Sequence, residues 1–330
     1  MGARPGRPWR QRDHPRRTAG PAVRVVLTLS SDQTAVAAEA RAAEQRGYAG
    51  VATGEHLFFS GPVGNGFVAL AAAAGATSRI RLLSSLTVLP LYPAALAAKL
   101  ATTLDRVSGG RFDLGVGVGG EHPAEFVAAG VEVSERGARA DEALALLRAL
   151  WAGGPVDFTG RFTRVPGLTL DPGAVQPGGP PVWLGGRRPA AIRRAGRFGD
   201  VWMPYMYTPE QLAGSLAQVR EAAEAAGRDP AAVRGAVFCW GGVDEDPARS
   251  RQQVVETVSA VYGQDFSALA DRYLLHGDPD RVAGRAREYA DAGAGTLVFS
   301  PVGEGGVRAG IVDLFTTAVL PRLGGEVTVR

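Results

Sequence analysis

The chain has 330 residues, 45% of them hydrophobic and 21% charged, with a formal net charge of +3. That balance is ordinary for a globular protein, and no run of 18 apolar residues suggests a transmembrane helix. One cysteine, Cys239, excludes a disulfide within the chain and suits a reducing cytoplasm.

The positive charge is concentrated at the start. Residues 1–20 hold Arg4, Arg7, Arg10, Arg12, Arg16 and Arg17 against a single acid, Asp13, so the rest of the chain is slightly acidic. A Pro/Gly/Arg segment without apolar periodicity is expected to be a disordered tail. It has no apolar h-region of an export signal, and it offers non-specific phosphate attraction but no specific nucleic-acid motif. The remainder, 21–330, is expected to be one domain.

From residue 23, short β-branched or apolar runs alternate with Ala-rich helical stretches, the pattern of repeated βα units around a parallel sheet. The predicted strands are 23–29, 50–53, 80–88, 112–118, 181–185, 200–204, 234–240 and 295–300. Helices are predicted near 33–47, 66–77, 92–107, 136–152, 188–198, 208–226, 247–262, 279–292 and 309–322. Asp32 and Thr208 read as N-caps, Pro209, Pro247 and Pro279 as first-turn residues, and Gly47, Gly227 and Gly293 as helix stops. Eight such units predict a single closed (β/α)8 barrel of the TIM type, an open doubly wound sheet being the alternative. Two excursions interrupt it, 153–180 after the fourth helix and 263–278 before the eighth strand.

Barrel sites form on the loops that follow the strand C-termini. Functional residues are therefore expected within 30–32, 54–66, 84–92, 115–126, 185–188, 203–208, 239–246 and 300–308. The most informative of these is the glycine ladder Gly115-Val116-Gly117-Val118-Gly119-Gly120, followed by Glu121, His122 and Glu125. The same logic returns at Pro181-Val182-Trp183-Leu184-Gly185-Gly186-Arg187. Strands that end in bare backbone at a helix start offer unpaired N–H groups to a phosphate-bearing, flat ligand. The literal G-x-G-x-x-G of Gly115, Gly117 and Gly120 is not read as a Rossmann fingerprint: it sits at the fourth strand, opens an acidic turn, and lacks the later strand-end acid.

Glu55-His56 follows the second strand, where a histidine suits proton transfer near neutral pH and an adjacent carboxylate can tune it; packing under the loop is the structural alternative. Ser84 and Ser85 place small hydroxyl residues in the branched third strand, either to fill tight space or to let a ring lie against the backbone. His122 beside Glu121 and Glu125 resembles a metal cluster, but no HExxH, HxH or cysteine pair supports one, so no metal is expected. There is no G-x-S-x-G elbow and no P-loop, and the only lysine, Lys99, falls within a helix, which argues against Schiff-base chemistry.

Taken together, several segments resemble the luciferase-like monooxygenase superfamily, in its coenzyme F420-dependent oxidoreductase branch, over roughly residues 23–325. They are Gly-Glu-His at 54–56, Ser-Arg-Ile-Arg-Leu at 78–82, Leu-Asp-Arg-Val-Ser-Gly-Gly-Arg at 104–111, the ladder with Glu125-Phe126, Glu-Arg-Gly-Ala-Arg at 135–139, and Pro-Pro-Val-Trp-Leu-Gly-Gly at 180–186. The resemblance implies a TIM-like barrel that binds F420, or alternatively FMN, at the strand C-termini. It implies His56 as the proton-transfer residue with Glu55 beside it, and a non-prolyl cis peptide at Ser85–Leu86 behind the ring. Ser84, Ser85, Leu86, Gly117, Val118, Gly119, Gly120, Glu121, Gly185, Gly186 and Arg187 follow as cofactor-binding residues.

Two departures are visible. Gly120 stands where some F420 dehydrogenases of this type have a glutamate, with Glu121 one step later, and the basic set for a sugar phosphate lacks lysines. The family's usual Asp-His is Glu-His here, a pair that occurs in both the F420 and FMN branches. The implied reaction is hydride transfer between deazaflavin C5 and a C=C, C=N or C=O bond. The rivals are an FMN monooxygenase fed by a partner flavin reductase, and a non-catalytic cofactor-binding barrel, since fold does not fix function. A homodimer is the family expectation. The substrate loops 57–66, 203–208, 239–246, 263–278 and 301–308 carry Phe58, Phe59, Tyr205, Tyr207 and Trp240, which suits a hydrophobic small molecule.

Overall fold

Each of the eight expected strands forms, and each is followed by at least one helix. In chain order the computed structural model runs β1 (Arg24–Thr28), α1 (Val36–Gln45), β2 (Gly50–Thr53), α2 (Gly66–Ala76), β3 (Arg81–Ser84), β4 (Thr87–Val88), α3 (Ala94–Val107), β5 (Phe112–Gly117), α4 (Pro123–Ala128) and α5 (Arg136–Trp151). It continues with β6 (Pro155–Thr159), β7 (Arg164–Thr169), β8 (Val182–Leu184), α6 (Pro189–Phe198), β9 (Val201–Trp202), α7 (Pro209–Ala225), β10 (Arg234–Gly241), α8 (Pro247–Tyr262), α9 (Ala270–Tyr273), α10 (Pro279–Asp291), β11 (Ala294–Pro301) and α11 (Gly305–Leu314). The structure describes residues 22–59 and 61–324. The tail expected over residues 1–20 lies outside them.

The parallel sheet is ordered β3-β2-β1-β11-β10-β9-β8-β5-β4, and a further pairing of β3 with β5, Leu82 opposite Phe112, closes it. β3 and β4 are the two halves of the single strand expected at 80–88, separated at Ser85–Leu86, where the peptide bond is cis. The fold is therefore the expected closed (β/α)8 barrel. The sequence did not reveal that the excursion at 153–180 contains an antiparallel hairpin, β6 with β7. Glu142 of α5 holds that hairpin by accepting the backbone N–H groups of Arg161 and Phe162. The final helix begins four residues earlier than expected and passes through a wide turn at Phe315–Val319 before stopping near Pro321. Among the described residues no helix is long and apolar enough to cross a membrane.

Strand alternation sorts the side chains into two cores. Outward residues such as Leu82, Leu114, Val182 and Leu297 join the large core beneath the helices. Inward residues Val26, Ala52, Leu83, Trp183, Val201, Met203, Ala236 and Val298 fill the barrel, with Leu86 and Phe238 above them. Trp183 among small alanines is the size complementarity that close packing requires. Toward the strand C-termini the inward positions lose their side chains, at Gly54, Gly115, Gly117 and Gly185, and the barrel opens.

Those glycines surround the break in the third strand. A Cβ on Gly115 would lie 1.9 Å from the Ser84 carbonyl oxygen, one on Gly185 would lie 2.3 Å from a Leu86 methyl, and one on Gly54 would lie 3.1 Å from the Ser85 carbonyl. Backbone cannot yield as a side-chain tip can, so Gly115 is the least replaceable. Gly115→Ala is expected to lose about 1–3 kcal/mol or more of stability through overpacking. Gly75→Ala, in α2 with nothing within 4 Å of its added methyl, should gain up to about 1 kcal/mol from helix propensity. Urea unfolding of the two variants checks the opposite signs.

Candidate active site

The open end of the barrel is a cleft of about 1630 Å³. It is lined by the 117–121 and 185–188 loops, by Ser85 and Leu86, and by Tyr205, Phe238, Trp240 and Tyr262, with Tyr205 touching Glu121 and Arg187 of those loops. Of the residues expected to bind a cofactor, all but Ser84 line it.

Ser84 is the correction. It is 1% exposed, and its hydroxyl both donates to the Gly115 carbonyl at 3.1 Å and accepts the Gly115 N–H at 2.9 Å. It therefore ties the two strands together within the barrel wall and does not face the cleft. Adjacent strand residues point to opposite faces, so with Leu83 inward, Ser84 must point out. Ser85 is the hydroxyl that reaches the site.

His56 lies at the rim, with its Nδ1 3.3 Å from each carboxylate oxygen of Glu125. Glu125 sits in the short helix α4, fully buried, and one of its oxygens also accepts the Leu57 backbone N–H at 3.1 Å. A carboxylate acceptor at Nδ1 assigns the proton to that nitrogen in the neutral ring, leaving Nε2 as the free basic atom. Phe59 stacks on the imidazole at 4.3 Å, and His122 meets both rings edge-on.

Glu55 was expected to tune His56, but the carboxylate in contact with the imidazole is Glu125. Glu55 borders the cleft with both oxygens already committed. Oε1 accepts the Val88 N–H at 3.2 Å; Oε2 accepts the Gly66 N–H at 3.1 Å and the Tyr92 hydroxyl at 3.0 Å. It thereby joins the start of α2 to β4. Burial pushes its carboxyl above the ordinary range despite those donors, with the nearby Glu125 charge adding to the shift.

The glycine side is built for close approach. Gly119, Gly120 and Gly186 have positive φ, and a Cβ on Gly120 would strike the Arg136 guanidinium at 2.7 Å. Arg136 lines the cleft, donates to the Val133 carbonyl, and leaves its buried Nε without a partner. The buried Ser85 hydroxyl is likewise unpartnered. Two unsatisfied polar atoms beside bare backbone fit a flat ligand with a polar ring edge and an anionic arm, because native interiors rarely leave such groups unpaired. Arg188, at the start of α6, extends the positive rim. Neither Arg136, in the 135–139 motif, nor Arg188, in the expected 185–188 segment, was named as cofactor-binding, and Glu125 was weighed only as a motif residue and in a discounted metal cluster. Among the described residues no group of three or more His, Cys, Asp or Glu side chains could hold a metal.

Comparison with known proteins agrees with this geometry. The family model for luciferase-like monooxygenases matches residues 17–303. An F420-dependent glucose-6-phosphate dehydrogenase from Rhodococcus jostii is 31% identical over 278 residues, 76% of this chain and 81% of that protein. A second, from Nocardia farcinica, is 30% identical and covers 77% and 82% of the two chains. Among solved structures, a monooxygenase from Streptomyces bottropensis aligns with a TM-score of 0.79 at 27% identity, over 91% of this chain and 99% of its own. An F420-dependent secondary alcohol dehydrogenase, solved with an F420–acetone adduct, shares the fold with a TM-score of 0.81 at 21% identity, over 92% and 99% of the chains.

Because Glu55 holds its proton more tightly in the folded protein than in the unfolded one, its contribution to stability is complete below the ordinary value of 4.5. That contribution declines as pH rises through the elevated folded value. Glu55→Gln removes this slope and turns an amide N–H₂ toward backbone donors, at a cost of about 1–3 kcal/mol. Unfolding measured at several pH values checks both effects.

Proposed function

Since the chain belongs to the luciferase-like monooxygenase family, we propose that it is an F420-dependent oxidoreductase transferring hydride between the deazaflavin and a small organic substrate. The observation that carries this reading is the juxtaposition of the His56–Glu125 pair with a glycine-walled cleft in which Ser85 Oγ and Arg136 Nε are unpartnered. The identity to F420-dependent relatives over three quarters of the chain supports it.

The protein's part is binding, orientation and proton handling. Backbone at Gly117–Gly120 and Gly185–Gly186 would lie along the cofactor, and Ser85 Oγ is the atom available to a polar ring edge. Arg136 and Arg188 would face the phosphorylated arm, with Arg187 held against Tyr205. F420, when bound, supplies a two-electron hydride donor or acceptor whose ring carbon reacts poorly with oxygen. His56, when protonated at Nε2 as well as Nδ1, would deliver from Nε2 the proton that accompanies reduction of a substrate double bond; in the reverse direction the neutral ring would take it up there. Glu125 would hold Nδ1 and so fix the orientation of the ring.

A second reading, reduced FMN with O₂ and a partner flavin reductase, is favoured by the likeness to the Streptomyces monooxygenase. A homodimer is also proposed: α2 (GFVALAAAAGA) is apolar around its circumference, yet Val68 on it is 71% exposed, with Leu96 of α3 48% exposed. Helices apolar all round are normally covered.

Titration of the purified chain with F420 and with FMN separates the two cofactors. The proposal expects saturable F420 binding well below millimolar; tighter FMN binding selects the second reading. His56→Ala is expected to lower kcat by about 10²–10⁴ while leaving the F420 dissociation constant nearly unchanged. Retained turnover would remove His56 from the chemistry.

A further inference from the structure

The aromatic part of the cleft lining, joined to the glycine loops through Tyr205, has a chemical character of its own. Phe238 and Trp240 meet edge to face at 5.7 Å, and Tyr205 and Tyr262 complete the aromatic surface around them. Most polar atoms of these side chains are already paired within the protein, the Tyr262 hydroxyl as an acceptor only. The Tyr205 hydroxyl donates to Glu121 Oε1 at 2.6 Å, and the Trp240 indole N–H donates to the Tyr262 hydroxyl at 3.3 Å. The wall therefore presents ring faces and edges, with few hydroxyl donors left to read a polyol.

Its charge is equally committed. Arg187 lies against the Tyr205 ring at 4.8 Å and donates to the Met206 carbonyl at 3.2 Å, while Glu121 bonds the same tyrosine. One cation and one anion thus share a single phenol, and their charges offset. Farther along the cleft, Arg308 donates to the Pro301 and Thr28 carbonyls, and Arg46 pairs with Asp313. Lys99 reaches the Asp171 carbonyl and does not line the cleft. A dianionic phosphate needs unpaired cations or convergent donors to replace its hydration. Among the described residues Trp240, Phe238 and Tyr262 offer neither, and Arg308, though in no ion pair, has both terminal guanidinium nitrogens bonded to carbonyls.

Resting on the F420 reading for the reaction itself, we infer that the substrate is a planar, uncharged ring system recognised by aromatic contact at Trp240, Phe238 and Tyr262, and that sugar phosphates are excluded. This separates the chain from the activity named for its 31% identical relative. Trp240 is the principal specificity-determining residue, because its indole is the largest ring system among these lining residues and aromatic pairs prefer stacked or edge-to-face contact.

The test is calorimetric titration of the full chain, saturated with oxidised F420, with 2-acetonaphthone as a planar ketone probe and with glucose 6-phosphate. The ketone should bind saturably, the sugar phosphate should show no saturable binding into the millimolar range, and Trp240→Ala should weaken the ketone by about tenfold or more. Trp240→Phe, which keeps a ring and guards against misfolding of the alanine variant, should stay within about threefold of the parent. Glucose 6-phosphate binding tighter than the ketone, or a ketone affinity unchanged in Trp240→Ala, overturns the inference. F420 affinity, measured first in the same samples, reports separately on the cofactor: its absence defeats the proposed reaction, and the probe titrations of the cofactor-free chain still decide the wall.

Discussion

The site depends on one steric constraint, the close approach of the third barrel strand to its neighbours between Ser84 and Leu86. Where that strand breaks, the chain swings inward, so that Ser85 and Leu86 both face the cleft. The space they enter would otherwise belong to side chains from adjoining strands. Gly54, Gly115, Gly117 and Gly185 give that space up, and a Cβ at Gly115 would sit only 1.9 Å from the Ser84 carbonyl oxygen. Glycine is entropically unfavourable in a strand interior, so four of them around one segment are explained by contact and not by propensity. The same absence of side chains leaves an open floor of main chain, bordered by an unpartnered hydroxyl, on which a flat ring can rest.

Two buried carboxylates divide the labour around that floor. Glu55 is a joint: it gathers the Val88 and Gly66 N–H groups and the Tyr92 hydroxyl, fixing β4 against the start of α2. Glu125 is an orienter: it holds Nδ1 of His56 and the Leu57 N–H, 68 and 69 residues away in sequence. Neither could be buried at low cost as an unpaired charge. Their hydrogen bonds make burial tolerable, and in doing so set the position of the one side chain suited to moving a proton. Elsewhere in the cleft lining, the Tyr205 hydroxyl and the Trp240 indole N–H are taken up by Glu121 and Tyr262, which leaves a largely aromatic surface.

Much of this was legible in the sequence because strand and helix periods alternate cleanly from residue 23 onward, and the glycine runs mark where strands stop carrying side chains. What escaped has identifiable causes. Ser84 was grouped with Ser85 because both are small hydroxyl residues, although alternation from Leu83 already sends Ser84 outward. Glu125 was not paired with His56 because the two are distant in the chain, while Glu55 is adjacent to His56 and adjacency says nothing about which way a side chain turns at a strand end. The hairpin at 155–169 was unrecognised because its strands are largely exposed and Gly160, Pro166 and Gly167 interrupt the strand pattern. Other motif residues proved structural. Arg111 binds the Ala74, Thr77 and Ile80 carbonyls at the end of α2, and Asp105 accepts the Val175 and Gln176 N–H groups. A pattern read as a signature of function can thus record how the barrel closes.

The most direct measurement is a crystal structure of the chain soaked with oxidised F420. The account predicts the deazaflavin ring against Ser85 and Leu86, within reach of His56 Nε2, with the phosphorylated arm over Gly117–Gly120 and beside Arg136. A cofactor bound elsewhere on the molecule, or a ring lodged against the aromatic wall with Ser85 still unpartnered, would contradict it.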